Sequence, residues 1–204
     1  MSNEEMKKNI KTKDKHELRR KIIKDMAVVA LFFALLTVST FIRIPLPFGN
    51  YLTLQLEVVI LIGFILGPKL ALITTGLYVF VGLMGIPIFA AGGGISYIFL
   101  PSFGYIYGFI ISSFFVGLLS NKTKNMNVLK SIGISLLGIA IIYIFGYLHQ
   151  YIIYNFYYEN QPLALKEIIL STMAFAVPKD LILGVLCGLI SVRLKKIYQK
   201  IYNH

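Results

Sequence analysis

Charged residues and cysteine are both scarce in this chain. Only 14% of its 204 residues are charged, and it has no Trp and a single cysteine, Cys187. A soluble domain would carry about a quarter charged residues, so the composition excludes that class. One cysteine excludes an internal disulfide and matches no metal-ligand spacing, so a small buried side chain is the simplest interpretation of Cys187.

Motifs of catalysis and of nucleotide binding are missing as well. The sequence contains no H-E-x-x-H, no G-x-S-x-G and no Walker A motif, so no enzyme activity, metal or cofactor is predicted. The net charge of +11 would suggest nucleic acid in a soluble protein. Here the basic residues flank apolar segments, which indicates orientation in a bilayer and no nucleic-acid partner.

Hydrophobic residues make up 57% of the chain, and the mean hydropathy is +0.75. The longest stretch without a charge runs from Leu70 to Asn121, far beyond the about 20 residues that one span needs. A glycine-rich segment, residues 85–94, is predicted to break it, because Gly85 and Pro87 end a helix. Non-helical backbone at membrane depth must be buried or line a wet cavity. The segment is therefore either the wall of a small-molecule pocket or an ordinary re-entrant turn.

The predicted fold is an all-α integral membrane protein with six transmembrane helices and cytoplasmic N and C termini. The spans are placed at about 26–42, 53–66, 70–84, 103–119, 131–158 and 178–192, with a short helix over 163–176. This topology puts 17 of the 20 Lys and Arg inside. Residues 1–25 form a basic cytoplasmic segment, 26–195 the membrane domain and 196–204 a basic tail. Within the first segment, residues 15–25 form either an amphipathic surface helix or a solvated tail.

Polar features gather on the predicted outer side of the membrane. Charged groups at membrane depth are costly and are candidates for function, and polar groups converging in an apolar wall describe a small-molecule site. Glu57 either pairs with Arg43 or points into a cavity. Tyr147 and Gln150 share a helix face and either line that cavity or belong to an aromatic belt.

Several short motifs occur in an order that is informative as a set. They are Pro45-Leu46-Pro47-Phe48 with Thr53-Leu54-Gln55, Gly67-Pro68-Lys69, Gly85-Ile86-Pro87-Ile88-Phe89-Ala90, Gly104-Tyr105, Gly108-Phe109, and Pro178 with Asp180 and Leu181. With this set the chain resembles the biotin-specific substrate-binding (S) component of energy-coupling factor (ECF) transporters, the BioY family. The resemblance covers residues 27–192.

The resemblance implies a multi-pass protein of a bacterial cell membrane that captures biotin from outside. It implies a transmembrane coupling subunit and two cytoplasmic ATPases as partners, with Ala30 and Ala34 docking on the coupling subunit. Asp180 matches the family's acidic residue for the polar head of the ligand. The chain departs from the family at Lys179, where a Gly is usual, and at Leu183, where a Lys is usual.

Biotin chemistry suggests roles for these residues. Asp180 would accept from the ureido N–H groups, while Gln55 or the backbone N–H groups of residues 92–94 would donate to its oxygen. Lys179 or Arg43 would pair with the ligand carboxylate. The predicted ligand-binding residues are Asp180, Lys179, Gln55, Phe89, Ala91, Gly92, Gly93, Gly94, Tyr97, Tyr147 and Gln150.

Two alternatives stay open from sequence alone. One is a self-contained small-molecule membrane carrier, although no inverted repeat between the two halves is visible. The other is an intramembrane enzyme in which Glu57 and Asp180 are paired carboxylates, with His149 as base or ligand.

Overall fold

The computed structural model describes residues 3–46, 50–158, 164–174 and 176–203, with side chains for 15–46, 50–158, 164–170, 172–174 and 176–200. In these ranges six helices form: α1 Asn3–Phe41, α2 Gln55–Leu83, α3 Phe103–Lys122, α4 Val128–Ile152, α5 Leu165–Met173 and α6 Ala176–Asn203. A short antiparallel hairpin pairs β1 Ile44–Leu46 with β2 Asn50–Leu52. Pro47 and Phe48, quoted above for the resemblance, lie outside the described residues.

Helix α1 is continuous from the basic N-terminal segment into the first apolar segment. Residues 15–25 therefore extend the first span as one helix and form neither a separate surface helix nor an irregular tail. The helix packs on α2 through Val29 and Leu36, both of which are buried. Most other side chains of its apolar half are exposed, so α1 presents a wide face to its surroundings.

The chain reverses direction inside α2, at Gly67. This glycine has φ 73° and ψ 177°, a non-helical conformation, and Pro68 follows it. The amide of Gln55 donates to the Tyr78 hydroxyl at 2.6 Å, although 23 residues of straight helix would span about 35 Å. Residues 55–66 and 68–83 therefore lie antiparallel, and the predicted tight turn at Gly67-Pro68-Lys69 is confirmed.

Four segments among the described residues are long and apolar enough to cross a membrane: Lys15–Phe41, Gln55–Leu83, Phe103–Lys122 and Val128–Tyr157. Helix α6 is not among them, since it carries Lys179 and Asp180 near its start and several basic residues near its end. The chain is thus a multi-pass membrane protein. Because Gln55–Leu83 folds back on itself at Gly67, this one candidate contributes two antiparallel helical segments.

Several helix ends meet at one end of the bundle, here called the cavity end. The last turn of α1 contacts the second half of α2, where the Thr40 and Tyr78 hydroxyls are 3.1 Å apart. Tyr143 of α4 donates to Asp180 in the first turn of α6 at 2.6 Å. Thr172 of α5 lies here too, within 2.6 Å of the Tyr147 hydroxyl.

The opposite end of the bundle gathers the Gly67 turn, the end of α3, the start of α4 and the later part of α6. Gly117 packs so closely on the turn that a Cβ there would lie 2.7 Å from the backbone of Gly67 and Pro68. Lys195 of α6 donates to the Ser120 carbonyl at 3.0 Å. The two bundle ends are therefore each tied together by polar contacts between helices.

The glycine-rich segment breaks the apolar run where the sequence predicts it. Gly85, Gly92 and Gly94 have φ values of 105°, 122° and 104°, which glycine tolerates best. Phe89 and Gly92 exchange two backbone hydrogen bonds of 2.9 and 3.0 Å, which close a tight turn. The Phe89 ring rests on Gly82, where a Cβ would lie 2.1 Å from the ring. The segment is therefore packed onto the end of α2.

Candidate ligand-binding cavity

A half-enclosed cavity lies at the cavity end, with an empty volume of about 630 Å³ including its mouth. The wall is formed by Leu46, Asn50, Tyr51, Leu52, Thr53, Gln55, Leu56, Ala90, Tyr97, Ser102, Tyr105, Ile106, Phe109, Tyr143, Thr172, Ala176, Lys179 and Asp180. Side chains from α2, α3, α4, α5, α6 and the β1–β2 hairpin thus converge on one space.

A three-residue ionic cluster lies at one wall. The Lys179 ammonium is 3.0 Å from Glu57 Oε1 and 2.5 Å from Asp180 Oδ1, and it also donates to the Thr53 carbonyl. Carboxylates persist in an apolar interior only when they are paired, and Lys179 supplies that pairing. The lysine side chain is 20% exposed, whereas the two carboxylate side chains are 9% and 6% exposed. The partner of Glu57 is therefore Lys179 and not Arg43.

Helix α6 positions two of the three charges. It begins at Ala176, and Pro178 fits in its first turn because no intrahelical N–H bond is required there. Asp180 Oδ2 accepts the Tyr143 hydroxyl, which fixes the carboxylate against α4. Lys179 reaches the cavity from the same first turn and places a cation in its wall.

Apart from carboxylate oxygens of the ionic cluster, two buried polar atoms of cavity-lining residues have no hydrogen-bond partner among the described residues. They are the Tyr105 hydroxyl and Asn50 Oδ1. Buried polar groups are normally satisfied, so unpartnered atoms lining a cavity favour a polar ligand. Asn50 is held in place because its Nδ2 donates to Gln150 Oε1 at 3.3 Å. Neither residue is among the predicted ligand-binding residues, although Tyr105 belongs to the Gly104-Tyr105 motif of the resemblance.

Aromatic residues form another part of the cavity wall. Tyr97 lines the cavity, and Phe89 stands behind it with the ring centroids 4.7 Å apart. The Tyr97 hydroxyl accepts the Ala91 N–H at 3.2 Å. Burial raises the pKa of the Tyr97 phenol, which keeps it a neutral hydroxyl. Gln55 also lines the cavity, with its amide donating to Tyr78.

Other residues of the glycine-rich segment lie away from this cavity, and only Ala90 borders it. Ala91 and Gly92 border a second, more open cavity that also contains Arg43. The N–H groups of Gly92 and Gly94 bond within the protein, to Phe89 and Gly82 carbonyls. Gly93 packs against Ile86, where a Cβ would lie 2.3 Å from the carbonyl oxygen.

The remaining predicted residues do not line the cavity. Some of them contact residues of its wall, and the others lie away from it. Tyr147 bonds to Thr172, which lines the cavity, and Gln150 is fully buried against Asn50. His149 packs edge-on against Phe103 and Tyr107 and does not border the cavity. Ala30 and Ala34 are exposed on one face of α1.

The chemistry of this cavity is that of binding. The ammonium of Lys179 lies between Glu57 and Asp180, so neither carboxylate is available as an unpaired general base. Within the described ranges no group of three His, Cys, Asp or Glu side chains is arranged to hold a metal. The arrangement offers a cation, a buried carboxylate and unpartnered polar atoms in an apolar and aromatic wall.

Comparison with known proteins identifies the family. A sequence model of the BioY family matches residues 6–200. The chain belongs to the BioY family. The biotin transporter BioY of Thermotoga maritima is 35% identical over 179 residues, which cover 86% of this chain and 98% of that protein. The probable biotin transporter BioY of Pyrococcus horikoshii is also 35% identical, over 178 residues that cover 84% of this chain and 96% of that protein.

A solved structure shares the fold of this BioY-family chain. It is the crystal structure of the S-component for biotin from an ECF-type ABC transporter, with a TM-score of 0.74 and 24% identity, covering 87% of this chain and 93% of that chain. The family model and the 35% identical relatives confirm the family prediction. The relatives are named as transporters, which is a non-enzymatic function and agrees with the prediction that the chain is not an enzyme.

Proposed function

We propose that this chain is the biotin-binding S component of an ECF-type vitamin uptake transporter in a bacterial cell membrane. The observation that carries the proposal is the cavity in which Lys179 and Asp180 face the unpartnered atoms of Tyr105 and Asn50. Relatives over most of the chain are named as biotin transporters, which selects biotin among vitamin-sized ligands.

The cavity chemistry complements the polar head of biotin. Asp180 accepts from a ureido N–H, and Asn50 Oδ1 is a second acceptor for the other N–H. Tyr105 donates its hydroxyl to an oxygen of the ligand, and Lys179 holds the Asp180 carboxylate in position through their ion pair. Tyr97 and the apolar wall cover the bicyclic ring. Gln55, Phe89, Tyr147 and Gln150 hold the wall residues in position.

The proposed membrane topology has six spans with both termini in the cytoplasm. The reversal at Gly67 supports dividing α2 into two antiparallel spans, and the start of α6 at the cavity end supports counting α6 as a span. In this arrangement the cavity end faces outside, and 17 of the 20 Lys and Arg lie on the inner side. The ligand is then captured from the outer side.

Uptake also requires energy, and this chain has no motif for nucleotide hydrolysis. We infer that it works with a transmembrane coupling subunit and two cytoplasmic ATPases. Ala30 and Ala34 on the exposed face of α1 would let a partner helix approach closely, because small side chains leave room for backbone contact. Most side chains in the apolar half of α1 are exposed, so this face of the helix is open to a partner, which supports docking at this site.

Calorimetry on the detergent-purified chain tests the proposal. We expect biotin to bind without ATP, with desthiobiotin, thiamine and riboflavin as controls. Asp180→Ala should abolish detectable binding, because a buried acceptor of the ligand is lost, whereas Glu17→Gln on the exposed surface of α1 should bind as the parent does. Absence of biotin binding by the parent chain, or full binding by Asp180→Ala, would refute the site.

A further inference from the structure

A third space, a polar cleft, lies at the end of the bundle opposite the cavity end. Its empty volume is about 1010 Å³ including open space, and it is lined by Phe64, Ser120, Asn121, Thr123, Asn125, Met126, Ser131, Ser191, Val192, Lys195, Lys196 and Gln199. Lys195 and Lys179 are 16 residues apart on α6, which places the cleft about 24 Å from the biotin cavity. It is therefore separate from the proposed biotin site.

Two lysines of α6 make this cleft electropositive. The Lys195 ammonium donates to the Ser120 carbonyl at 3.0 Å, the Ser120 hydroxyl at 2.6 Å and Asn121 Oδ1 at 2.9 Å. These acceptors are neutral and leave the charge in place. Among the described side chains, no carboxylate lies within ion-pair distance of Lys195 or Lys196. Within the described side chains, the cleft thus holds two positive charges that no carboxylate neutralises.

A buried hydroxyl also lines the cleft. Ser131 is 0% exposed, and its Oγ has no hydrogen-bond partner among the described residues. It lies in the first turn of α4, just after Asn127, whose side chain caps the helix by accepting the Lys130 N–H at 2.9 Å. The start of a helix carries a partial positive charge that favours anions. An unpartnered donor and two cations therefore line one space.

We propose that this cleft binds a phosphate group. A phosphate accepts several hydrogen bonds at once, so it can take the Ser131 hydroxyl while the ammonium groups of Lys195 and Lys196 neutralise its charge. Basic pockets between membrane helices are also suited to anionic headgroups. The phosphate can come from the headgroup of an anionic phospholipid or from a soluble phosphate, and both sources share this chemistry.

Native mass spectrometry of the full chain in detergent tests the proposal. The probes are phosphatidylglycerol and phosphatidylcholine in equal amounts, and inorganic phosphate added separately. The test variant is Ser131→Ala with Lys196→Gln, and Lys69→Gln is the control, since Lys69 is exposed at the same bundle end but does not line the cleft. Lys195 is left unchanged because it holds the end of α3. Elution on size exclusion and biotin binding report folding.

We expect the parent and Lys69→Gln to retain phosphatidylglycerol over phosphatidylcholine, and the double variant to lose at least about tenfold in affinity. Lys196→Arg should retain binding, because the charge is kept. Displacement of the lipid by inorganic phosphate, or phosphate binding without lipid preference, would support the site with a soluble source. Equal binding by the parent and the folded double variant, or no binding of either probe to the parent, would overturn the proposal.

Discussion

Removing the ammonium of Lys179 tests the ionic cluster most directly. The substitution Lys179→Met keeps the length of the side chain and deletes the charge between Glu57 and Asp180. Since Nζ is 3.0 and 2.5 Å from their oxygens, those oxygens lie within about 5.5 Å of one another, and at an effective dielectric constant of about 20 two such charges repel by about 3 kcal/mol. Breaking a buried ion pair costs a similar amount.

Stability and ligand binding should both fall in this variant. A loss of about 3 kcal/mol corresponds to a melting temperature roughly 6–12 °C lower for a chain of this size, measured by far-ultraviolet circular dichroism in detergent. Biotin affinity, measured by calorimetry, should weaken by at least about tenfold, because Asp180 loses the ammonium that holds its carboxylate in position. Lys166→Met, on the exposed face of α5, should change neither quantity.

A second substitution separates the two effects. Adding Glu57→Gln to Lys179→Met removes one of the two facing negative charges, so most of the lost stability should return. Biotin binding should stay weak, since the ammonium is still absent. The reasoning is refuted if the double variant is no more stable than Lys179→Met. It is also refuted if Lys179→Met binds biotin as tightly as the parent.

Three further predictions concern the wall of the cavity, the docking face and the glycine-rich segment. Tyr105→Phe should leave the melting temperature unchanged but weaken biotin binding about tenfold by calorimetry, because its hydroxyl has no partner among the described residues. Equal binding would remove Tyr105 from the site. Ala34→Trp should keep biotin binding in detergent yet abolish uptake of labelled biotin by cells, whereas unchanged uptake would exclude this docking face. Gly82→Ala should lower the free energy of unfolding by about 1–3 kcal/mol, because the added methyl group would overlap the Phe89 ring. Gly76→Ala should leave it unchanged, since a Cβ at residue 76 meets no atom within 4 Å. Equal melting temperatures for the two variants would contradict this.

The breaks in the chain could be predicted from sequence, because each depends on local chemistry. Gly67-Pro68 reverses the chain since glycine adopts positive φ and proline lacks a donor. Residues 85–94 end a helix for the same reasons, and Pro178 occupies the first turn of α6 where proline is tolerated. The membrane class likewise follows from composition alone. Lys179 and Asp180 were identified because charges in apolar segments are rare.

The composition of the cavity was decided by the tertiary structure. Asn50 bonds to Gln150 across 100 residues, and Lys179 reaches the Thr53 carbonyl across 126. No periodicity encodes contacts of that range, so Asn50 and Tyr105 could not be selected beforehand. The glycine-rich segment was a predicted ligand contact through its glycines, yet Ala90 is its member that lines the cavity.

The sequence by itself therefore determined that this is a membrane protein of the BioY family, where its helices break and which charges matter. Those features depend on residue chemistry within a few positions along the chain. Tertiary structure decided which polar atoms face one another, which backbone donors are already used, and that Lys179 pairs with both Glu57 and Asp180. Such features depend on how separate helices pack, and packing brings together residues that are remote in sequence.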